Sequence, residues 1–197
     1  MLSILVINDI MILLSTIEIK SMRTVIIVCF QLLLAQPLIA AEQVPFEDAV
    51  SENIYNYHRH TPQIATSGEL KPGALQELKR FGFKTVVDLR TASEGVKDEA
   101  ESITQMGMDY HNIPIGRSWP EPSVFQEFQA LVENEDNYPM LIHCRSANRV
   151  GMLWTVYQLE KGVAYNEAIA QGRTIGMKLG WEAQVQTHFL DAKEKSK

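Results

Sequence analysis

The sequence predicts an α/β fold in which a mainly parallel, four-stranded sheet is flanked by helices. Short apolar, β-branched runs alternate along the chain with longer segments whose apolar residues recur at helical spacing. The run at residues 84–89 is apolar at nearly every position, which is typical of a strand that helices cover on both faces. This alternation implies right-handed β-α-β units. Ligands in such sheets bind at the carboxyl ends of the strands.

The first half of the predicted fold contains two strands and two helices. Residues 63–66 form the first strand. A helix follows from Pro72, which suits a first helical position, to Gly82, which suits a helix end. Residues 84–89 form the second strand. After a polar turn, residues 98–106 form a helix, with a weaker helical pattern than the first.

The second half contains two more strands and four helices. The third strand, residues 109–115, runs into a loop rich in glycine and proline at residues 116–122. Ser123 and Gln126 have the spacing of a capping box, which predicts that the next helix begins after Ser123. Residues 140–143 form the fourth strand. The remaining helices are one that ends at Gly162, one that begins near Asn166, and one over residues 181–190.

The N-terminal segment has the charged, apolar and small-residue order of a secretory signal peptide. We expect residues 1–41 to be this signal, with cleavage near Ala40 or Ala41 and a periplasmic or secreted product. Membrane attachment is expected only if the segment is retained. A start at Met22 would remove residues 1–21, which a signal peptide does not need.

The mature chain is predicted to be one domain, residues 42–190, followed by a polar tail, residues 191–197. The net charge of −6 argues against a general binder of nucleic acid or anionic membranes. Cys144 is the single cysteine of this mature chain, because Cys29 lies in the predicted signal peptide. A lone thiol in an oxidising compartment is more easily explained by reactivity than by structure.

The segment from His143 to Gly151 is predicted to be the turn between the fourth strand and a helix. Such a turn points unpaired backbone N–H groups at one spot, and the helix dipole adds a positive bias, so an anion would bind there. Cys144 begins the turn and Arg149 closes it. These surroundings favour the thiolate form of a cysteine. We predict a nucleophile that acts on a phosphate-like or sulfur-bearing group; the alternative is a buried structural cysteine.

Five motifs of the sequence match the pattern of a known family. The first is His143-Cys144 followed by Arg149, and the others are residues 66–68, 82–90, 107–114 and 172–173. Together they resemble a bacterial phosphatase-like family, called beta-lactamase-hydrolase-like or DUF442, that is related to dual-specificity and tyrosine phosphatases. The resemblance covers residues 53–178. It implies a dual-specificity-phosphatase-like fold.

The resemblance also implies roles for the loop residues. Cys144 would attack phosphorus to give a cysteinyl-phosphate that water hydrolyses, and Arg149 would hold the phosphoryl oxygens. Glu121, in Trp119-Pro120-Glu121, would be the general acid that protonates the leaving oxygen, although a solvated loop carboxylate is an equal alternative. The implied substrate-binding residues are His143, Arg145, Ser146, Ala147 and Asn148.

Two departures from the phosphatase pattern leave other functions open. Four residues separate Cys144 from Arg149, where phosphatases of this type usually have five, and Val150 stands where Ser or Thr is usual. The shorter spacing also resembles the loop of rhodanese-like sulfurtransferases, in which Cys144 would carry a persulfide. The third possibility is a non-catalytic module that binds anions or phosphopeptides.

The expected partner is a phosphorylated substrate, either a protein or a small molecule, and neither a metal nor an organic cofactor is expected. His58 and His60 could in principle bind a metal ion. Two histidines without a third ligand in view are weak grounds for a metal site, so a plain loop is the preferred interpretation of this segment.

Overall fold

The computed structural model describes residues 52–195, which form a five-stranded sheet with helices on both faces. The sheet order is β1-β2-β5-β3-β4, and every pairing is parallel except that of β1 with β2. The α/β prediction is therefore confirmed. The strands are β1 His58–Arg59, β2 Ile64–Ser67, β3 Thr85–Asp88, β4 Asp109–Asn112 and β5 Met140–His143.

Six α-helices and two short 3₁₀ turns complete the described part of the chain. The last helix reaches beyond the predicted residues 181–190 and includes part of the predicted tail. The helices are α1 Ala74–Arg80, α2 Val96–Gln105, α3 Pro122–Glu133, α4 Asn148–Glu160, α5 Tyr165–Ile175 and α6 Leu179–Lys195. The 3₁₀ turns are Ala92–Glu94 and Glu135–Asn137.

The strand β1 lies where the sequence predicts a loop, so the sheet has one strand more than expected. It has only two residues, too few to show a period of two. His58 pairs with Thr66 across the antiparallel edge, and the Thr66 hydroxyl donates a hydrogen bond to the His58 carbonyl at 3.2 Å. A long-range pairing, rather than local preference, makes this segment a strand.

The predicted start of α3 is wrong by two residues. The helix begins at Pro122, with Glu121 in extended backbone conformation as the N-cap residue, and no side chain caps this end. Proline suits the first helical position because its missing N–H would have no intrahelical partner there. Ser123 therefore lies inside the helix, and the predicted capping box with Gln126 does not form.

Successive residues of the central strands enter two different cores. Val87 and Ile142 face the core formed with α3, α4, α5 and α6, whereas Val86 and Leu141 face the core formed with α1 and α2. All four side chains are fully buried. This explains why the strands are apolar at consecutive positions: helices cover both faces of the sheet.

The signal peptide, its cleavage near residues 40–41 and the periplasmic or secreted destination concern residues outside the described range, and they stay predictions. Within residues 52–195, no helix has the length and apolar character needed to cross a bilayer.

Helices α4 and α5 approach each other closely through two glycines. A Cβ added at Gly151 would lie 2.5 Å from the carbonyl oxygen of Gly172 and 2.7 Å from the backbone nitrogen of Met177. A Cβ at Gly172 would meet the Thr155 hydroxyl at 2.0 Å. Backbone atoms cannot move aside as a flexible side chain can, so glycine is required for this packing.

We expect Gly151→Ala to lower the free energy of unfolding by about 1 to 3 kcal/mol, because the added methyl group would separate α4 from α5. Urea denaturation measures the change. Gly180→Ala is the matched control, since no heavy atom lies within 4 Å of a Cβ added there. Equal stability of the two variants would contradict the close-packing account.

Candidate active site

The loop between β5 and α4 lies at the middle of the sheet's carboxyl edge. In the parallel register, His143 at the end of β5 is paired with Ser67 of β2 on one side and with Asp88 of β3 on the other. Cys144 follows directly and is 1% exposed. The structure therefore has the strand-to-helix turn where the sequence predicts it. The first turn of α4 points its unpaired N–H groups into this loop.

Neighbouring segments hold this loop on both sides. The Cys144 N–H donates to the Ser67 carbonyl at 3.3 Å, and the Glu69 N–H donates to the Arg145 carbonyl at 3.1 Å. The side-chain oxygen of Asn148 accepts the Lys178 N–H at 2.7 Å. Ala147 has a left-handed backbone with φ 62°, a strained conformation for a residue with a Cβ. The surrounding bonds keep the loop in this tight shape.

Arg149 donates hydrogen bonds to two segments, the one after β3 and the one after β4, through Nη1 and Nη2 of its guanidinium group. Its Nη1 bonds the Leu89 carbonyl at 3.2 Å, the Ile115 carbonyl at 2.9 Å and Glu94 Oε2 at 2.8 Å, and its Nη2 bonds Glu94 Oε1 at 2.7 Å. A guanidinium has five N–H donors, so Nε–H and the second Nη2–H are not used in these bonds. Apart from its interaction with Cys144, this edge is free to hold an oxyanion.

Cys144 and Arg149 interact electrostatically across the loop. Burial by itself would lower the pKa of Arg149, but the hydrogen bonds to Glu94 and the charge of Cys144 outweigh burial and raise this pKa above its usual value. A side-chain hydrogen bond with Cys144 also contributes to the raised pKa of Arg149, so an anion held by this guanidinium would lie near the sulfur. This is the geometry that nucleophilic attack on a bound phosphate group requires.

Glu94 is a site residue that the sequence analysis missed. Its carboxylate accepts hydrogen bonds from the Thr91 N–H at 2.9 Å and the Thr91 hydroxyl at 3.0 Å, in addition to those from Arg149. The hydrogen bonds from Arg149 lower its pKa to about 2. The Thr-x-x-Glu spacing at residues 91–94 is a capping-box pattern that was visible in the sequence. Its pairing with Arg149 was not visible there.

A buried charged cluster lies on the other side of His143. The ring nitrogen Nε2 of His143 is 3.1 Å from Glu99 Oε1 and 3.7 Å from Asp88 Oδ1. These distances are close enough for ionic contact, but the atoms are not aligned as a hydrogen bond. Arg90 bonds Asp88 through Nε and Nη2 and bonds Glu99 at 2.6 Å. The Tyr110 hydroxyl donates to Asp88 at 2.9 Å. His143 is thus positioned by this cluster and has no exposure to the cleft.

Asp88, Glu99 and His143 have the ligand types of a metal site, with ligand atoms within 4.8 Å of one another. The Arg90 guanidinium already bonds both carboxylates, so the positive charge at this position comes from the chain itself. His58 and His60 are not part of such a group within residues 52–195. His60 instead packs edge-on against Trp154, and burial lowers its pKa to about 4.

A cleft of about 540 Å³ opens over the loop. Four of the loop residues line it, and Cys144 is buried beneath them. Its remaining lining comes from the segment after β3, the loop after β4 and the start of α6. The lining residues are Thr91, Ser93, Glu94, Ile115, Gly116, Arg117, Arg145, Ser146, Asn148, Arg149, Gly180, Trp181 and Gln184.

Glu121 does not line this cleft. It is exposed at the N-terminal end of α3. The preceding Trp119 packs against Phe125 and stacks on His188, with ring centroids 4.2 Å apart and planes 7° apart. The structure therefore brings Cys144 and Arg149 together but leaves the predicted acid outside, and the role of Glu121 stays a prediction.

Comparison with protein families identifies the chain's relatives. A family model described as "DSP-PTPase phosphatase fused to NAD+ Kinase" matches residues 43–188. The chain belongs to this family of dual-specificity and tyrosine phosphatases. The resemblance inferred from the sequence motifs is therefore confirmed. No curated protein matches the chain in sequence.

Several solved structures have a similar fold. A DUF442 protein from Shewanella putrefaciens CN-32 is 27% identical over 70% of this chain and 95% of its own, with a TM-score of 0.57. TpbA of P. aeruginosa, in complex with pTyr, is 19% identical over 71% of this chain and 87% of its own, with a TM-score of 0.57. The catalytic domain of SIW14, a PP-IP phosphatase of S. cerevisiae, is 14% identical over 74% and 93%, with a TM-score of 0.60.

We expect Glu94→Gln to lower the free energy of unfolding at neutral pH by about 1 to 3 kcal/mol, because the variant loses charge-assisted bonds to Arg149. The folded-state pKa of about 2 lies below the ordinary 4.5, so this contribution is present above pH 4.5 and is lost as the pH falls toward 2. The difference in free energy of unfolding between wild type and variant should therefore become smaller as the pH falls.

Urea denaturation at several pH values between 7 and 3 measures this gap. The control is Glu127→Gln, an exposed carboxylate on α3. If the difference in free energy of unfolding between wild type and Glu94→Gln stays constant over this pH range, the charge of Glu94 is not what stabilises the fold.

Proposed function

We propose that this phosphatase-family protein hydrolyses phosphomonoesters through a covalent intermediate on Cys144. The observation that carries the proposal is the buried Cys144 thiol under the free edge of Arg149, in a loop that opens a helix. The family membership supports a phosphatase, and the geometry supports cysteine as its nucleophile.

The reaction would proceed in two steps. The Cys144 thiolate attacks phosphorus, an S–P bond forms, and the ester P–O bond breaks as the leaving oxygen takes a proton from a general acid. Water then attacks the cysteinyl-phosphate and gives a proton to the conjugate base of the general acid, the S–P bond breaks, inorganic phosphate forms, and the thiolate and the acid are regenerated. Val150 provides no hydroxyl to assist this second step.

Arg149 would hold the equatorial oxygens in both steps. Two parallel N–H donors match two phosphoryl oxygens, which fixes orientation as well as charge. Because Glu94 and the Leu89 and Ile115 carbonyls already hold the opposite side, the guanidinium needs little reorganisation when phosphate binds.

Glu121 is our candidate for the general acid, and it would act only after its loop moves. The loop after β4 already contributes Gly116 and Arg117 to the cleft, so its first residues lie beside the substrate site. Moving Glu121 inward would require Trp119 to leave His188. Phosphatase chemistry on esters with poor leaving groups would depend on this movement.

We expect Cys144→Ser to reduce the hydrolysis of p-nitrophenyl phosphate by about a thousandfold or more, because a serine hydroxyl in this loop is a far weaker nucleophile. Phosphate release by the purified full chain measures the effect. The matched control is Cys29→Ser, which changes the other cysteine of the sequence.

The same preparations should be tested with thiosulfate and cyanide. Thiocyanate formation without phosphate release would contradict the proposal and favour a sulfurtransferase. Binding of phosphate or tungstate with neither activity would contradict it as well and favour a non-catalytic binding module.

We expect Glu121→Gln to slow the hydrolysis of an alkyl phosphate by about a hundredfold and to remove the alkaline limb of its pH–rate profile. The loss should be much smaller with p-nitrophenyl phosphate, whose leaving group needs little protonation. Glu127→Gln, another exposed carboxylate of the same region, is the control. An unchanged profile for the alkyl phosphate would exclude Glu121 from the mechanism.

A further inference from the structure

Besides Arg149, which would hold the transferred phosphate group, two more arginines line the cleft. Three arginines line it, Arg117, Arg145 and Arg149, against one carboxylate, Glu94. The lining therefore has a formal charge of three minus one, or +2, although the whole chain has a net charge of −6. Glu94 is fully engaged by Arg149 and Thr91, so it cannot neutralise the other two arginines.

In the part of the chain that the structure describes, the side chains of Arg117 and Arg145 have no partner. Both are exposed, and within residues 52–195 neither side chain has a hydrogen bond or an ion pair. Arg145 follows Cys144 directly, and Arg117 lies on the loop after β4, close to Ile115, whose carbonyl bonds Arg149. Two unpaired guanidinium groups on one cleft repel each other unless an anion lies between them.

The remaining lining indicates the kind of molecule that carries this anion. Most of its uncharged residues offer hydroxyl or amide groups: Thr91, Ser93, Ser146, Asn148 and Gln184. Its large apolar residues present little surface, since Trp181 is 7% and Ile115 is 2% exposed. An aromatic ring such as that of phosphotyrosine is normally held between apolar surfaces, whereas this lining suits a polar molecule.

We propose that the substrate is a small polar molecule with at least two phosphate groups. One group is transferred to Cys144, and a second group is held by Arg117 and Arg145. The volume of about 540 Å³ lies within the usual range for small-molecule sites and leaves room beyond the transferred group. This assignment rests on the proposed phosphatase function and adds its substrate class.

The test compares a sugar bisphosphate with the matching sugar monophosphate, using glucose 1,6-bisphosphate and glucose 6-phosphate as probes and the full chain as enzyme. We expect kcat/KM to be about tenfold higher for the bisphosphate. Arg117→Gln and Arg145→Gln should each reduce this preference about threefold, and the double variant should abolish it. The preference should also fall with added salt.

Arg59→Gln is the matched control, because it removes one positive charge at β1, outside the cleft, and should keep the wild-type ratio. Calorimetric binding of the two sugar phosphates to Cys144→Ser is a second readout that does not depend on turnover. Thermal melting shows whether each variant is folded.

The possible failures can be told apart. Loss of Cys144-dependent hydrolysis for every ester, p-nitrophenyl phosphate included, would overturn the proposed function itself. Hydrolysis of p-nitrophenyl phosphate with equal kcat/KM for the two sugar phosphates would overturn only the substrate class. A phosphotyrosyl peptide that exceeds the bisphosphate in kcat/KM, with the excess lost in the arginine variants, would also overturn it and indicate a protein substrate.

Discussion

The carboxylate of Asp88 is buried completely and must have partners, and residues in or just after three strands supply them. Burial alone would raise its pKa, but the bonds from Arg90 and the charge of His143 outweigh burial and hold the pKa below its usual value. Arg90 also binds Glu99 of α2, and Tyr110 of β4 donates to the same carboxylate. Breaking such a buried pair typically costs about 3 to 5 kcal/mol. The position of His143, and hence of the loop between β5 and α4, depends on this cluster.

A second ion pair lies above the loop and acts on its other end. Glu94 binds Arg149 with both oxygens, and Thr91 holds Glu94 in turn. The loop between β5 and α4 is thus held at one end through His143, which contacts Asp88 of β3 and Glu99 of α2, and at the other end through Arg149, which binds Glu94. These fixed charges orient the groups that would meet a phosphate, so the site is prepared before substrate binds. The sign of the charge in the cleft differs from that of the whole protein. A cleft lined by arginines without side-chain partners among the described residues can attract anions to an acidic protein.

Much of the fold and the centre of the site were predictable because they depend on local patterns. Consecutive apolar residues indicated strands with helices on both faces, and the spacing of Cys144 and Arg149 after an apolar strand indicated an anion-binding turn. The errors occurred where a distant partner decides the conformation. The strand β1 exists because His58 pairs with Thr66. The start of α3 is the exception, because the local preference of proline for the first helical position sets it at Pro122.

The sequence by itself determined the α/β class, the order of the central elements and the identity of the nucleophile candidate, since periodicity and turn chemistry are properties of neighbouring residues. Only the tertiary structure decided which charges meet. It paired Glu94 with Arg149, placed Arg117 and Arg145 on one cleft, and left Glu121 outside that cleft. These contacts join segments that are far apart in the chain, and the burial that determines their strength exists only after folding.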